Sequence, residues 1–410
     1  MKLLHTSDWH LGRMEGNERS LWEDQKYAIN EIYRIAGEEK ADGILLAGDV
    51  FDRSIASTDA IKAFDEIIRH LCVDMDIPVY TIAGNHDGAE RVSQHSRLLR
   101  KAGLHIAGSL QREPFVVREE GVDIFLLPWI TTDKVRSVFP EQAEEIRTME
   151  DAFRVVLDRY REEFREGCRH ILVAHAFIEK AETSESERAT EVVGLAASVP
   201  AAVFDGFDYV ALGHLHGYQR PGEHVYYSGT PMAYSFGREE SHRKSVILYD
   251  TEADPDQAVR RIPVRQLHAR ATLTGELEAL RTMDFAALES DPREHLEEDR
   301  LPEEAIGNLD EYIRNGYLRV CVTDRFVGTE VIAELNRCYP NILLISGRNY
   351  EEKEDSRISL KPEELSGLET RPEEVFLRYI RDMGIEGPED RFLELFHEST
   401  AEYREEVEES

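Results

Sequence analysis

The sequence has few cysteines, and none lies close to another. Its 410 residues contain four, and there is no C-x-x-C pair and no histidine at the spacing of a zinc site: Cys72, Cys168, Cys321 and Cys338. This pattern excludes a disulfide framework and the common thiolate metal sites. Scattered cysteines are typical of free thiols in a reducing compartment.

Long apolar runs are also missing. No segment approaches the roughly 20 apolar residues that are needed to span a bilayer. The first ten residues contain Asp8 and two histidines where a signal peptide would have a basic region and an apolar stretch. We therefore expect a cytoplasmic protein without membrane contact.

Positive charge is scarce relative to negative charge. The chain has 49 Lys and Arg against 82 Asp and Glu, which gives a formal net charge of -33. Because affinity for nucleic acids comes largely from Lys and Arg that displace counterions, this balance opposes tight independent binding to them. Any nucleic-acid contact is expected to be local or assisted, and the simplest interpretation of the excess is a solvated acidic surface.

Five short apolar runs end abruptly in Asp, Asn or His. The central run, at residues 44–47, passes directly into Gly48 and Asp49. The other four end in these polar segments: residues 6–10, residues 84–87, His175 and residues 213–216. One such ending is usually an ordinary polar turn. Five together predict a functional site, because side chains at the carboxyl ends of strands meet at one edge of an α/β sheet.

The order of elements predicts an α/β fold. Amphipathic helices at residues 19–36 and after a cap at Ser57 or Thr58 separate the first three strands, which favours a mainly parallel sheet. The later pattern indicates a hairpin, a long helix and three further strands: residues 115–129, 141–166, 225–227, 245–249 and 258–264. The last three suggest a second sheet, so we predict a layered β-sandwich flanked by helices.

Composition divides the chain into four segments. We predict a catalytic domain at residues 1–265, a small α+β domain at 266–349, a polar linker at 350–371 and two short amphipathic helices at 372–410. The terminal helices suit docking on a partner, with folding back onto the main domain as the alternative. The acidic stretch at residues 176–200 is either a flap over the site or an insertion without a role.

The polar endings carry a ligand set for two divalent metal ions of the Mn, Fe, Zn or Mg type. Asp8 and His10 lie two residues apart on an extended segment and are expected to bind one ion. Asn85 and His175 are assigned to the second ion, and Asp49 is the carboxylate best placed to bridge them. His214 and His216 can each serve one ion. Two such ions hold a phosphoryl group and activate water for its hydrolysis.

His86 lies between Asn85 and Asp87 and is interpreted as a residue that does not bind metal. Placed over a phosphate, its imidazole can stabilise developing charge or protonate the leaving oxygen. Asp87 is then expected to orient that imidazole.

These motifs together resemble the calcineurin-like metallophosphoesterases. The segments at residues 5–12, 47–52 and 227–231 are similar, more narrowly, to the nuclease subunits of SbcCD-type exonucleases, over about residues 1–265. The resemblance implies an exonuclease on double-stranded DNA that is also an endonuclease on single strands and hairpins, with two Mn²⁺ ions. It also implies that residues 266–349 cap the DNA groove and that the terminal helices bind an ABC-type ATPase. A homodimer is the expected assembly.

Two other functions compete with this interpretation. The same metal site would serve a phosphomonoesterase or a cyclic-nucleotide phosphodiesterase, although the extra segments disfavour both. A non-catalytic DNA-end tether is the alternative outside the enzymes, and the intact ligand set argues against it. Four arginines near the polar endings are candidates for phosphate contact, each against the simpler interpretation of a surface residue: Arg13, Arg53, Arg91 and Arg220. Trp9 and Trp129 are interpreted as packing residues.

Overall fold

The structure, a computed structural model, describes residues 1–15, 19–184, 198–237, 239, 243–347 and 393. The predicted linker and, apart from residue 393, the predicted terminal helices lie outside these residues, as does most of the predicted flap. Among the residues described, none of the helices is both long and apolar enough to cross a membrane.

The strands are numbered in chain order: β1 Lys2–Thr6, β2 Met14–Glu15, β3 Arg19–Ser20, β4 Gly43–Leu46, β5 Val79–Ile82, β6 Leu104–Ala107, β7 Phe115–Glu119, β8 Val122–Leu127, β9 Arg169–His175, β10 Phe177–Ile178, β11 Ser198–Val199, β12 Tyr209–Gly213, β13 Val225–Tyr227, β14 Ser245–Asp250, β15 Val259–Pro263, β16 Arg270–Gly275, β17 Tyr317–Val322 and β18 Ile342–Gly347.

The α-helices are α1 Trp22–Glu39, α2 Thr58–Arg69, α3 Ala89–Val92, α4 Ser96–Leu99, α5 Thr132–Val138, α6 Met149–Arg161, α7 Leu277–Thr282, α8 Leu309–Arg314 and α9 Thr329–Cys338. The Ser57 side chain accepts a hydrogen bond from the Ala60 N–H and caps α2, as predicted. The long helix predicted over residues 141–166 is wrong at both ends. Thr148 and Asp151 form a capping box that starts α6 at Met149, and the helix ends at Arg161.

The first sheet has the order β15-β14-β1-β4-β5-β6. Strands β1, β4, β5 and β6 are parallel, and β14 and β15 extend the sheet in antiparallel fashion beside β1. The prediction that residues 245–249 and 258–264 belong to a second sheet is therefore wrong. Pairing with β14 makes β1 an interior strand, which removes an exposed edge next to the site.

The second sheet has the order β13-β12-β9-β8-β7. Strands β8, β9, β12 and β13 are parallel, and the predicted hairpin adds β7 in antiparallel orientation. The two sheets pack face to face through one apolar cluster that includes Leu45, Tyr80, Val173 and Tyr209. Helices cover the outer faces through two other clusters. The predicted layered sandwich is confirmed, and burial on both faces explains the uninterrupted apolar runs.

Residues 270–347 form a smaller parallel sheet in the order β16-β17-β18. Helices α7 and α9 pack on it around an apolar cluster that includes Leu273, Leu280, Val320 and Leu335. Within this domain the sequence predicts strands at residues 317–322 and 342–345 and a helix at 329–338, and the structure has β17, β18 and α9 there; strand β16 was not predicted.

Candidate metal centre

The polar loops that follow β1 and β4 are joined side by side by backbone hydrogen bonds. The Asp8 N–H donates to Gly48 O at 3.0 Å, and the His10 N–H donates to Asp49 O at 3.0 Å. The loop after β12 joins them, because the His214 N–H donates to the two Asp8 carboxylate oxygens at 3.0 and 3.2 Å. Three of the predicted strand endings therefore meet at one edge of the sandwich.

Four of the candidate ligands lie on left-handed backbone, which is uncommon for residues other than glycine: Asp8 (φ 53°), His10 (φ 44°), Asp49 (φ 49°) and His214 (φ 110°). The loops also approach each other too closely for side chains. A Cβ on Gly84 would lie 2.1 Å from Asp49 Oδ1, and one on Gly213 would lie 1.9 Å from Ala47 O. Glycine at these positions lets the ligand loops converge.

The first ligand group consists of Asp8, His10 and His216. Their ligand atoms all lie within 4.8 Å of one another, and all three residues are buried. The Nε2 atoms of His10 and His216 face each other at 3.2 Å. In addition, His10 Nδ1 is buried without a hydrogen-bond partner among the residues described. Convergent imidazole nitrogens and a carboxylate are a ligand set for a divalent cation.

The second ligand group is centred on Asn85. Its Oδ1 atom lies 2.9 Å from His175 Nε2 and 3.0 Å from His214 Nδ1. His175 also forms a potential metal group with Asp8 and Asp49, again within 4.8 Å. The ring of Trp129 stacks on His214 at a centroid distance of 5.5 Å, so this tryptophan packs against a candidate ligand.

Asp49 lies between the two groups. Its Oδ2 atom is 4.0 Å from His10 Nε2 and 3.5 Å from His175 Nε2. Its Oδ1 atom accepts a hydrogen bond from the His86 N–H at 2.9 Å. One carboxylate thus reaches a histidine of each group, which is the geometry expected of a bridging ligand.

The buried cluster is short of positive charge. Burial raises the pKa of Asp8 to about 6, and the nearby Asp49 carboxylate adds to this rise. Burial lowers the pKa of His214 to about 3. Although burial also acts to lower the pKa of His175, the Asp49 carboxylate raises it to about 9. A proton on His175 therefore balances the negative charge of the nearby carboxylates. A bound divalent cation would balance the same charge, so the residues fit such an ion.

Comparison with known proteins agrees with this geometry. The family described as calcineurin-like phosphoesterase matches residues 1–218. The chain belongs to the calcineurin-like phosphoesterase family. The family predicted from the sequence is confirmed, and its members use divalent metals.

One relative of this phosphoesterase is the SbcD subunit of the nuclease SbcCD from Staphylococcus epidermidis. It is 30% identical over 366 residues, which cover 89% of this chain and 90% of the relative. The narrower resemblance noted in the sequence is therefore also confirmed.

Similarity of the phosphoesterase to solved structures is weaker. A Thermus thermophilus protein has 13% identity and a TM-score of 0.36, over 64% of this chain and 99% of that one. The calcineurin-like phosphoesterase YfkN from Bacillus subtilis has 13% identity and a TM-score of 0.35, over 64% and 88% of the two chains.

His86 lies at the rim of the phosphoesterase centre and is only half-buried. Its ring centroid is 5.0 Å from that of His10. Its Nδ1 atom lies 3.0 Å from the backbone oxygen of Asp52. Because a carbonyl can only accept, this contact places a proton on Nδ1 and makes Nε2 the atom that exchanges a proton in this tautomer.

Asp87 does not orient His86, contrary to the prediction. Its carboxylate accepts backbone N–H groups from Val50 at 3.1 Å, Phe51 at 2.9 Å and Gly84 at 2.9 Å. These three donors engage both carboxylate oxygens, and the His86 imidazole is held instead through Nδ1 by Asp52 O. Asp87 therefore joins the Asp49 loop to the Asn85 loop.

The four candidate arginines of the phosphoesterase differ in their surroundings. Arg13 and Arg53 lie on either side of Asp52, with nitrogen-to-oxygen distances of 3.6 and 3.5 Å. Arg91 donates to Ser54 O, and Arg220 donates to Glu223 O within its own turn. Arg13 and Arg53 are thus tied to the residue that holds His86, whereas Arg220 is engaged elsewhere.

Several buried polar residues that support the ligands were missed in the sequence. Gln25 and Tyr234 contact the backbone of the His10 loop. Glu239 lies 3.8 Å from His216 Nδ1 and pairs with Lys244, which donates to His216 O. Gln25 had a detectable signal, because it is a polar residue on the apolar face of a helix. Glu239 had none, since it lies in a stretch of mixed charge.

Proposed function

We propose that this phosphoesterase is a metal-dependent DNA nuclease, the nuclease subunit of an SbcCD-type complex. It would act as an exonuclease on double-stranded ends and as an endonuclease on single strands and hairpins. The observation that carries the proposal is the pair of ligand groups on either side of Asp49, with His86 at their rim. This arrangement suits hydrolysis of a phosphodiester that lies across the edge of the sandwich.

Two divalent ions are proposed as cofactors, with Mn²⁺ as the expected metal. Asp8, His10 and His216 would hold one, and Asn85, His175 and His214 would hold the other, with Asp49 shared. When bound, the ions supply Lewis acidity and an activated water. His86 is proposed to act as an imidazolium whose Nδ1–H is held by the Asp52 carbonyl; it would donate its Nε2 proton to the leaving oxygen and be left as the neutral ring protonated on Nδ1.

The partner and the domain roles are proposed on the basis of the SbcD relative from Staphylococcus epidermidis. Residues 1–265 would form the nuclease domain and residues 266–349 the domain that caps bound DNA. After the linker at 350–371, the segment at 372–410 would bind an SbcC-type ABC ATPase, and the chain would form a homodimer. An ATPase that contacts DNA would compensate for the net charge of -33.

Phosphate contact is proposed first for Arg13 and Arg53. Both lie beside Asp52, whose backbone oxygen contacts His86. On this proposal, their guanidinium groups would contact the phosphate next to the scissile one. Arg91 and Arg220 are weaker candidates, since each donates to a backbone oxygen of a surface loop.

The test is a cleavage assay on linear and hairpin-ended duplex DNA with Mn²⁺, with and without the ATPase partner. Wild-type protein is expected to cleave both, and Asp49→Ala is expected to lose more than about 100-fold, because even a lost outer-shell partner costs 10- to 100-fold. Asp59→Ala is the matched control, since Asp59 is an exposed aspartate on α2.

Two results would contradict the proposal. Hydrolysis of p-nitrophenyl phosphate without cleavage of DNA in the presence of the ATPase would identify a phosphomonoesterase. A metallated and active Asp49→Ala protein would show that the ligand assignment is wrong.

A further inference from the structure

Gln25, in the first turn of α1, holds the loop that carries His10. Its Nε2 atom lies 2.6 Å from His10 O and 3.2 Å from Trp9 O, and its Oε1 atom accepts the Gly12 N–H at 3.2 Å. The Tyr234 hydroxyl adds a hydrogen bond of 2.5 Å to Trp9 O. This loop needs such support, because His10 lies on left-handed backbone that is costly for a non-glycine residue.

The preceding residue, Asp24, contacts the small α+β domain, whose described residues 266–347 are called the 266–347 unit. Its Oδ1 atom lies 2.8 Å from His268 Nδ1, and its Oδ2 atom accepts the Tyr317 hydroxyl at 2.7 Å. Asp24 and Gln25 are both buried. Successive helix residues point about 100° apart, so the two side chains face different neighbours from one rigid turn.

A second contact joins the same unit to the other side of the loop. Arg270 on β16 forms a two-pronged ion pair with Glu15, in which the bond from Nη1 to Oε1 measures 2.6 Å. Glu15 lies on β2, which begins directly after the loop. Bidentate pairs of this kind are geometrically specific. The 266–347 unit thus holds the segment after the His10 loop as well as the helix turn beside it.

We propose that Asp24 and Gln25 couple the placement of the 266–347 unit to the geometry of His10 as a metal ligand. Gln25 is the positioning residue, and Asp24 connects it to Tyr317 and His268. Movement of the unit that breaks the Asp24 contacts would shift the first turn of α1 and loosen the hold of Gln25 on the loop. The inference rests on the metal binding in the proposed function.

The test is a double-mutant cycle on Mn²⁺ affinity, measured by titration calorimetry of the full chain. Gln25→Ala is expected to weaken Mn²⁺ binding roughly 10- to 100-fold, as for a lost outer-shell partner. Tyr317→Phe removes only the hydroxyl that donates to Asp24, and it is expected to weaken Mn²⁺ binding roughly threefold to tenfold. In the double variant, Tyr317→Phe is expected to have no additional effect, because its influence passes through Gln25.

Tyr339→Phe is the matched control. Its hydroxyl is also buried in the 266–347 unit, but it donates to Leu280 O within that unit. This variant should keep the wild-type Mn²⁺ affinity. Gln25→Glu serves as a second variant if Gln25→Ala does not fold, because it keeps the side-chain volume and the acceptor for Gly12 while losing the donor for the His10 and Trp9 oxygens.

Two outcomes overturn the coupling. One is an unchanged Mn²⁺ affinity in both Tyr317→Phe and Asp24→Asn, and the other is additive effects in the double variant. These differ from failure of the proposed function, in which the wild-type chain itself would bind no Mn²⁺. Loss of affinity in Tyr339→Phe would also contradict the inference, since it would show a general effect of a weakened unit.

Discussion

At the scale of single residues, the centre uses backbone conformations that cost free energy. Asp8, His10, Asp49 and His214 have positive φ angles, and such conformations cost on the order of 1–3 kcal/mol each. Backbone hydrogen bonds between the loops hold Asp8 and His10 in place, and the Asp8 carboxylate holds the His214 N–H. The ligand directions are therefore fixed by the protein itself, which favours tight and specific ion binding.

His86→Ala separates the proton donor from the metal ligands. Because the His86 Nδ1 atom is held by the Asp52 carbonyl and His86 belongs to neither ligand group, the variant is expected to keep its bound metal. The rate of phosphodiester hydrolysis should fall by roughly 100- to 10,000-fold. Metal content by mass spectrometry and single-turnover cleavage provide the two measurements, and His95→Ala on the neighbouring surface is the control. Loss of metal from His86→Ala would show that His86 is itself a metal ligand.

The candidate ligands could be predicted because each lies at the carboxyl end of a strand or a few residues beyond it, so that local sequence fixes its place at the sheet edge. The role of Asp87 could not be predicted in this way. Its partners are N–H groups of residues 50, 51 and 84, and the choice between them and His86 depends on how two distant loops pack. Gln25 and Glu239 were missed for the same reason, since their contacts are with loops far along the chain.

At the scale of elements, the alternation of strands and helices was enough to predict the sandwich, but not the sheet to which every strand belongs. Strand β14 is apolar and buried like the strands of the second sheet, whereas β15 contains two arginines, so composition assigns neither strand to a sheet. Their place beside β1 is decided by pairing across more than 200 residues, such as Leu4 with Leu248. Helix ends depend instead on local capping, which the sequence shows at Ser57 and which was overlooked at Thr148.

Thr148→Ala tests the capping box of α6. The Thr148 hydroxyl accepts the Asp151 N–H at 3.1 Å, and the Asp151 carboxylate accepts the Thr148 N–H at 2.9 Å. Removing the hydroxyl is expected to lower the free energy of unfolding by about 1 kcal/mol. Urea denaturation is the measurement, and Thr148→Ser, which keeps the hydroxyl, should retain most of the stability. Equal losses in both variants would contradict a capping role.

At the scale of the whole molecule, the strong negative charge opposes binding of the proposed DNA substrate by this chain alone. A net charge of -33 repels a polyanion over distances comparable to the Debye length, about 8 Å at physiological salt. Attraction must therefore come from local arginines or from a partner protein. The ATPase partner proposed from the similarity to the SbcD relative would supply such attraction.

Truncation at about Glu369 tests the proposed docking segment. The shortened chain is expected to keep metal binding and hydrolysis of a small phosphodiester, because all candidate ligands lie before residue 217. It should lose association with the ATPase and ATP-stimulated cleavage of duplex DNA, since the predicted amphipathic helices would be gone. Co-purification at unchanged affinity would show that the partner binds elsewhere.

The most direct measurement of the central claim is anomalous X-ray scattering from crystals of the full chain grown with Mn²⁺. We predict two manganese peaks about 3.5–4 Å apart, one at Asp8, His10 and His216 and the other at Asn85, His175 and His214, with Asp49 between them. A single peak, or two peaks that do not share Asp49, would contradict the two-metal phosphoesterase centre proposed for this chain.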